Sequence, residues 1–330
     1  MSTSDDGKGY FKLLKKTLFT EIDKDTTFSE SDLCFQDDNS IYQFRYTEAE
    51  IEYKKKLEPG IFSLIQVNNK VTTKKTEFRN RKLLTSVVNT QAIKAESDAF
   101  FDNLDIYKEL EQPMARKILM YSDPGMGKTA AITEYCKEAY NNDPGTVVLV
   151  WPTAEIESTD VSKFLSKFSE YTKKCTRLIL VMEDIGGGER EGYAGSRSVD
   201  SAMLDLLDGL QVTFKLPTLI LATTNYPQNL LSALADRPGR FDLILQLKPP
   251  SFQEQLDLVQ FISKQPVDDD TKEALEKFAK GFSIAHLLEV VIRSRLHKKP
   301  LAETIKEVYN HRDKFKKNFE SGKGVGFGSD

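Results

Sequence analysis

Between Arg116 and Leu247, apolar runs of strand length recur as "KILMY", "TVVLVW", "RLILVME", "TLILATT" and "DLILQL", with helical segments between most of them. Runs this continuously apolar have no polar face to turn toward water. Each has to be covered on both sides, the condition met by a parallel sheet flanked by helices. The pattern therefore predicts an α/β fold. After Pro249-Pro250 the strands stop, and "SFQEQLDLVQFISK", "TKEALEKFAKGF" and "IAHLLEVVIRSRLH" predict a small helical domain.

Residues 1–95 differ in character, being rich in Lys, Asp, Thr and Ser with short apolar runs such as "SIYQFRY" and "GIFSLIQV". Those runs suit strands, and "LEPG" suits a turn before the second. A separate small mixed N-terminal domain for partner or substrate binding is expected over 1–95. The large α/β domain then covers 96–249, a helical lid 250–312, and a basic, glycine-rich tail 313–330. The stretch "AIKAESDAFFDNLDIYKEL" opens the large domain as a helix, with Phe100, Leu104 and Tyr107 on one face.

Composition narrows the class. Hydrophobic residues make up 39% and charged residues 29% of 330, a globular profile, and no apolar run is long enough to span a bilayer. The start "MSTSDDGKGYF" lacks the basic-then-apolar order of a signal peptide. Cys34, Cys136 and Cys175 stand alone in or beside apolar segments, so buried thiols in a reducing cytoplasm are expected rather than disulfides or a metal site. A formal charge of -4 argues against nucleic-acid binding over the whole surface and leaves a local basic groove open.

The chemistry concentrates at "YSDPGMGKT", which follows the strand "KILMY" and opens the helix "TAAITEYCKEAY". Strand, glycine loop and helix in that order are what a phosphate-binding loop requires. Backbone N–H groups along Asp123, Pro124, Gly125, Met126, Gly127 and on to Ala130 can curl round an anion, helped by the positive end of the helix. Proline itself contributes shape and no donor. Lys128 would reach the β- and γ-phosphates of ATP, and the Thr129 hydroxyl would ligate Mg²⁺. Ser122 stands where such a loop has its first glycine, a position that makes a turn and needs a small residue.

A second group lies in "RLILVMEDIGGG", an apolar strand ending in two acids. Strand ends at the carboxyl edge of a parallel sheet are where ligands bind. There Glu183 would hold magnesium, partly through water, and Asp184 would polarise an attacking water. A third group follows in "LILATTNYPQNLLSALADRPGRFDLILQL". Asn225 can orient that water, while Arg237 and Arg240 fit arginine fingers for charge on a transferring phosphoryl group.

Together these residues resemble the AAA+ ATPases, in the AAA clade of protein unfoldases and remodelling machines. "PGMGKT" is similar to the Walker A motif, "LILVMED" to Walker B, and "TTNYPQNLLSALADRPGRFD" to the second region of homology. "SAMLDLLDGL" matches the helix before the sensor strand, and "GFSIAHLLEVV" the lid segment over the adenine. The resemblance runs from Phe100 to Leu296. It implies a P-loop NTPase sheet with a helical lid, a homo-oligomeric hexameric ring, Asn225 as sensor, Ala285 beside the base, and Arg237 and Arg240 acting on a neighbouring subunit's nucleotide.

Two departures bear on function. The acids run Glu-Asp where most members have Asp-Glu. The region after the second strand, "PTAEIESTDVSKF", lacks the aromatic–apolar–glycine triplet of translocase pore loops. "GGGEREGYAGSRS" offers Tyr193 between glycines with Arg190 and Arg197 nearby, a group that fits either a stacking grip on a polymer or an exposed tyrosine. Three readings follow: an ATP-driven ring that remodels or disassembles protein complexes, a nucleic-acid motor or loader, and an ATP-dependent assembly switch or scaffold.

Overall fold

The computed structural model describes residues 33–36, 41–44, 57–67, 70–78, 90–153, 155–168, 172, 174–186, 201–208, 215–227 and 240–320. In chain order these form β1 (Leu33–Gln36), β2 (Ile41–Phe44), β3 (Gly60–Val67), β4 (Lys70–Lys75), α1 (Gln91–Asp102), α2 (Leu104–Glu109) and β5 (Ala115–Tyr121). They continue as α3 (Lys128–Asn142), β6 (Thr146–Pro152), α4 (Ser158–Phe168), β7 (Arg177–Glu183), α5 (Ser201–Asp208), β8 (Thr218–Thr224) and β9 (Leu243–Gln246). Four helices close the described chain: α6 (Phe252–Ser263), α7 (Asp269–Phe278), α8 (Ile284–His297) and α9 (Leu301–Glu320).

The chain divides into two compact units. One takes in Gln91–Met120 and Ile132–Leu245 with the strands that precede them; the other takes in Tyr121–Ala131 and the chain from Gln246.

The first unit is built on a seven-stranded sheet of order β4-β3-β6-β7-β8-β5-β9. Strands β3, β6, β7 and β8 run parallel to their neighbours in that order, and β4 pairs antiparallel with β3. Every residue of β8 is buried, as are the five central residues of β7, so the apolar runs are covered on both faces as expected. At one edge β9 alternates between half-buried and exposed residues. Its run "LILQ" therefore reads as buried in sequence while one face stays open. Trp151, Phe62, Leu64, Leu149, Leu178 and Ile156 are among the largest fully buried side chains, each contributing about 1.5–3 kcal/mol by leaving water.

The boundary expected at residue 95 does not match this sheet. β3 pairs in parallel with β6, from Gly60 opposite Val147 to Ser63 opposite Val150, and β4 adds the edge strand. Residues 60–75 thus belong to the large α/β layer and not to a separate N-terminal domain. An amphipathic hairpin has the same local pattern in either setting, and its partner lies more than eighty residues away in "TVVLVW". Lys70, Lys74 and Lys75 are exposed on β4, charges that discourage further strand pairing at an edge. β1 and β2 form a two-stranded antiparallel sheet of their own. The single helix expected over 92–110 is broken at Asn103 into α1 and α2. Phe100 still packs edge-on against Tyr107, with ring centroids 5.2 Å apart.

The second unit has a core of Leu258, Val259, Leu275, Phe282, Leu287 and Ile305 among others. Its helices start on designed-looking caps. Ser251 caps α6 in a box with Glu254, whose carboxylate accepts the Ser251 N–H at 2.7 Å. Asp268 caps α7, accepting from Thr271 N–H at 2.8 Å, and hydrogen bonds with Thr271 hold its carboxyl below the usual value of 3.8. Because the folded value is the lower one, the cap's contribution is complete above the usual value and is lost as pH falls through the folded value. Asp268→Ala should lower stability toward urea by about 1 kcal/mol at neutral pH. The gap between variant and parent should stay constant above about pH 5 and close below about pH 4. A gap that did not change in acid would mean the carboxylate is not the cap.

Candidate functional site

Strand β5 delivers the chain into the loop, and α3 begins at Lys128. Gly125 and Gly127 have φ of 81° and 89°, a region that favours glycine. At Gly125 glycine is required twice over, because a Cβ there would sit 2.9 Å from both the Ala285 Cβ and the Ser283 Oγ. Lys128 and Thr129 occupy the first turn of α3, where backbone N–H groups have no helical acceptor and the helix dipole favours an anion. Thr129 is exposed there, as are Asp123 and Pro124, while Met126 is buried beneath the loop. Lys128 is folded back rather than extended into solvent. Its ammonium donates to the Ser122 carbonyl at 3.1 Å and to the Ser122 hydroxyl at 2.8 Å.

The head of α8 lies against the same loop. The Ala285 N–H donates to the Gly125 carbonyl at 3.1 Å, which puts Ala285 beside the glycine turn. Ser283 caps this helix in a box whose third residue is His286 in place of the usual Glu or Gln. His286 Nδ1 accepts from the Ser283 N–H at 3.1 Å, so the neutral ring carries its proton on Nε2. Neither the cap nor the Ala285 contact is legible in "GFSIAHLLEVV", although Ser three residues before His is a cap signal in the wider sense.

In the first unit, β7 ends at Glu183, and the next residue, Asp184, has φ 58° and is exposed. Aspartate tolerates this left-handed conformation better than most residues. Two groups from the end of β8 hold it there. Its N–H donates to Thr223 Oγ1 at 3.0 Å, and Asn225 Nδ2 donates to Asp184 Oδ1 at 2.5 Å. The neighbouring turn is tied in as well, with Ile185 N–H on the Thr223 carbonyl at 2.8 Å and the Thr224 hydroxyl on the Ile185 carbonyl at 2.7 Å. Thr153 Oγ1 donates to the Glu183 carbonyl at 2.6 Å. These threonine hydroxyls were missed in sequence because β-branched residues in a strand need no polar reason.

The remaining candidates divide. Arg240 is only 6% exposed in the single chain and interacts within it. A guanidinium that serves a neighbouring subunit has to reach the surface, so Arg240 would have to turn outward first. Just beyond it, Asp242 is tied to β5 by backbone and side chain, donating its N–H to the Lys117 carbonyl at 2.8 Å and accepting the Lys117 N–H on its carboxylate at 2.7 Å. Arg237, Tyr193, Arg190 and Arg197 lie outside the described residues. Where a first pore loop would come, Trp151 is fully buried with its indole N–H on the Ile156 carbonyl at 3.2 Å. Among the described residues between β6 and α4 the exposed side chains are Glu155 and Glu157, and no aromatic is exposed there. Burial pushes the Cys136 thiol up, with the Glu183 charge adding to the effect, so this cysteine is a packing residue.

The donor set suits a polyphosphate with Mg²⁺. In the second unit the left-handed glycines, the head of α3 and the Lys128 ammonium address phosphate, and the exposed Thr129 hydroxyl is a hard oxygen donor; in the first unit the half-buried Glu183 is another such donor. Among the described residues no cluster of three or more His, Cys, Asp or Glu side chains could hold a metal alone. Mg²⁺ retains waters and takes phosphate oxygens alongside one or two protein ligands.

A mostly parallel sheet flanked by helices, with this loop following one strand and acids ending another, defines a P-loop NTPase. Within that class, residues 118–249 match the family described as "ATPase family associated with various cellular activities (AAA)", so this stretch of the chain carries an AAA domain. It is 32% identical over 168 residues to the human "ATPase family gene 2 protein homolog A", a match covering 47% of this chain and 18% of that protein. It is 25% identical over 229 residues to a "Proteasome-activating nucleotidase" from Saccharolobus solfataricus, covering 64% of this chain and 58% of the relative. A nucleotidase of the same name from Aeropyrum pernix is 27% identical over 206 residues, covering 58% and 48%. The chain thus spans less than two thirds of each of these relatives. Among the described residues no helix is long and apolar enough to cross a membrane.

Proposed function

We propose that the chain hydrolyses ATP to ADP and phosphate within a homo-oligomeric ring, a hexamer by resemblance, and spends the cycle on remodelling or disassembling protein complexes in the cytoplasm. The observation that supports hydrolysis, and not binding alone, is the Asp184–Asn225 pair at the ends of β7 and β8. A carboxylate held by an amide is a base with a fixed orientation. Backbone N–H groups at the head of α3 and the Lys128 ammonium take the β- and γ-phosphates. Thr129 and Glu183 would hold Mg²⁺, which would supply positive charge to offset that of the phosphates. Asp184 accepts a proton from water as the water oxygen bonds the γ-phosphorus, and Asn225 keeps that water aligned. The bond from the γ-phosphorus to the bridging oxygen breaks, and the bridging oxygen leaves with ADP. Arg237 supplies positive charge from the neighbouring subunit; Arg240 does so only after leaving its buried position.

For the target, the exposed Glu155 and Glu157 favour protein over nucleic acid, since carboxylates repel a phosphate backbone. The names of the archaeal relatives point the same way. ATP turnover should rise severalfold with an unfolded or assembled protein substrate and stay at its basal rate with DNA or RNA at low salt. Stimulation by DNA or RNA that falls steeply with salt would instead establish the motor or loader reading. Turnover far below one per second, with ATP-dependent assembly intact, would establish the switch.

A further inference from the structure

The first position of the phosphate loop carries a hydroxyl, and that hydroxyl has a partner. Ser122 Oγ lies 2.8 Å from Lys128 Nζ, closer than either the Ser122 carbonyl at 3.1 Å or the Asp123 carbonyl at 3.5 Å. The hydroxyl passes its own proton to the Asp123 carbonyl at 2.8 Å. Both side chains are buried, with 6% of Ser122 and 8% of Lys128 exposed, so water does not readily replace these contacts. A glycine at this position offers the carbonyl and no hydroxyl.

An ammonium has three protons, and three loop oxygens stand within reach of them. A phosphate oxygen that takes one proton displaces one of those oxygens. The carbonyls are fixed by the turn of the loop. The hydroxyl is not, because it sits on a rotatable side chain and can swing away from the ammonium. We propose that Ser122 is a positioning residue that latches Lys128 against the loop and competes with nucleotide phosphate for the ammonium, holding affinity below that of a glycine loop. The inference rests on the reading of this loop as an ATP site.

The test compares the dissociation constants of MgADP and of a slowly hydrolysed MgATP analogue for the full chain and for Ser122→Ala, Ser122→Gly and Ser122→Thr. Losing a hydrogen bond to a charged group in a buried place should tighten both nucleotides about tenfold in the Ala and Gly variants. The Thr variant keeps a hydroxyl and should bind as the parent does. Without nucleotide, an amine-directed acylating reagent should label Lys128 severalfold faster in Ser122→Ala than in Ser122→Thr, a difference that a merely structural serine would not produce. Unchanged or weaker affinity in Ser122→Ala, with binding lost in Lys128→Ala, would overturn the latch and leave the ATP site standing. No nucleotide binding by the parent would overturn both.

Discussion

Replacing Asp184 by Asn should leave ATP bound and slow its hydrolysis by about 10²–10⁴-fold, the usual contribution of a positioned general base. The substitution keeps the volume of the side chain and its hydrogen bond with Asn225, since an amide oxygen can still accept from Nδ2. It removes only the capacity to take a proton from water. Glu183→Gln should differ in kind, raising the Mg²⁺ concentration needed for half-maximal turnover, because that residue is assigned to the cation. The two variants are measured by phosphate release across a Mg²⁺ titration. If Asp184→Asn turned over ATP like the parent, the base would have to be sought elsewhere, with Glu183 the first alternative.

A larger loss is expected at Arg237. An arginine finger contributes about 10³–10⁵ in rate, or roughly 4–7 kcal/mol of barrier. Lys128 supplies charge from within its own loop, and the second cation has to come from elsewhere as charge develops on the γ-phosphoryl group. Arg237→Ala should therefore bind ATP with parental affinity and hydrolyse it at least a thousandfold more slowly. Arg240→Ala should also hydrolyse ATP poorly, and its burial means that it should in addition lower stability. On the proposal that the finger serves a neighbour, mixing Arg237→Ala with Lys128→Ala should restore part of the activity, an intact loop meeting an intact arginine across one boundary. ATPase per subunit should also rise with protein concentration as rings form. A rate independent of concentration, together with no rescue on mixing, would exclude a shared site.

The parts of the fold that could be read in sequence are those set by local pattern. Apolar runs without a polar face had to be covered on both sides, and β7 and β8 are. "PGMGKT" could be placed at a helix start because glycines, lysine and hydroxyl carry their own backbone and charge requirements. What escaped depends on partners distant in the chain. Whether the hairpin β3–β4 forms its own domain or joins a sheet is decided by β6, and nothing within "GIFSLIQV" encodes that choice. Ser122 passed as a small turn residue because its partner lies six residues on, across a loop whose curvature is a three-dimensional fact. Thr223 looked like strand filling until its hydroxyl was seen to hold Asp184. Nothing in "DRPGRFD" shows that Arg240 is buried, because the groups that cover it lie elsewhere in the chain.

The claim on which everything else depends is that this chain turns over ATP at the loop headed by Lys128. It is tested most directly by release of phosphate from MgATP by the purified chain, measured beside Lys128→Ala of equal thermal stability. The account predicts phosphate release that requires Mg²⁺, saturates with ATP and disappears in the variant together with nucleotide binding. Phosphate release that persisted unchanged in Lys128→Ala, or a folded parent that bound ATP and released none, would contradict it.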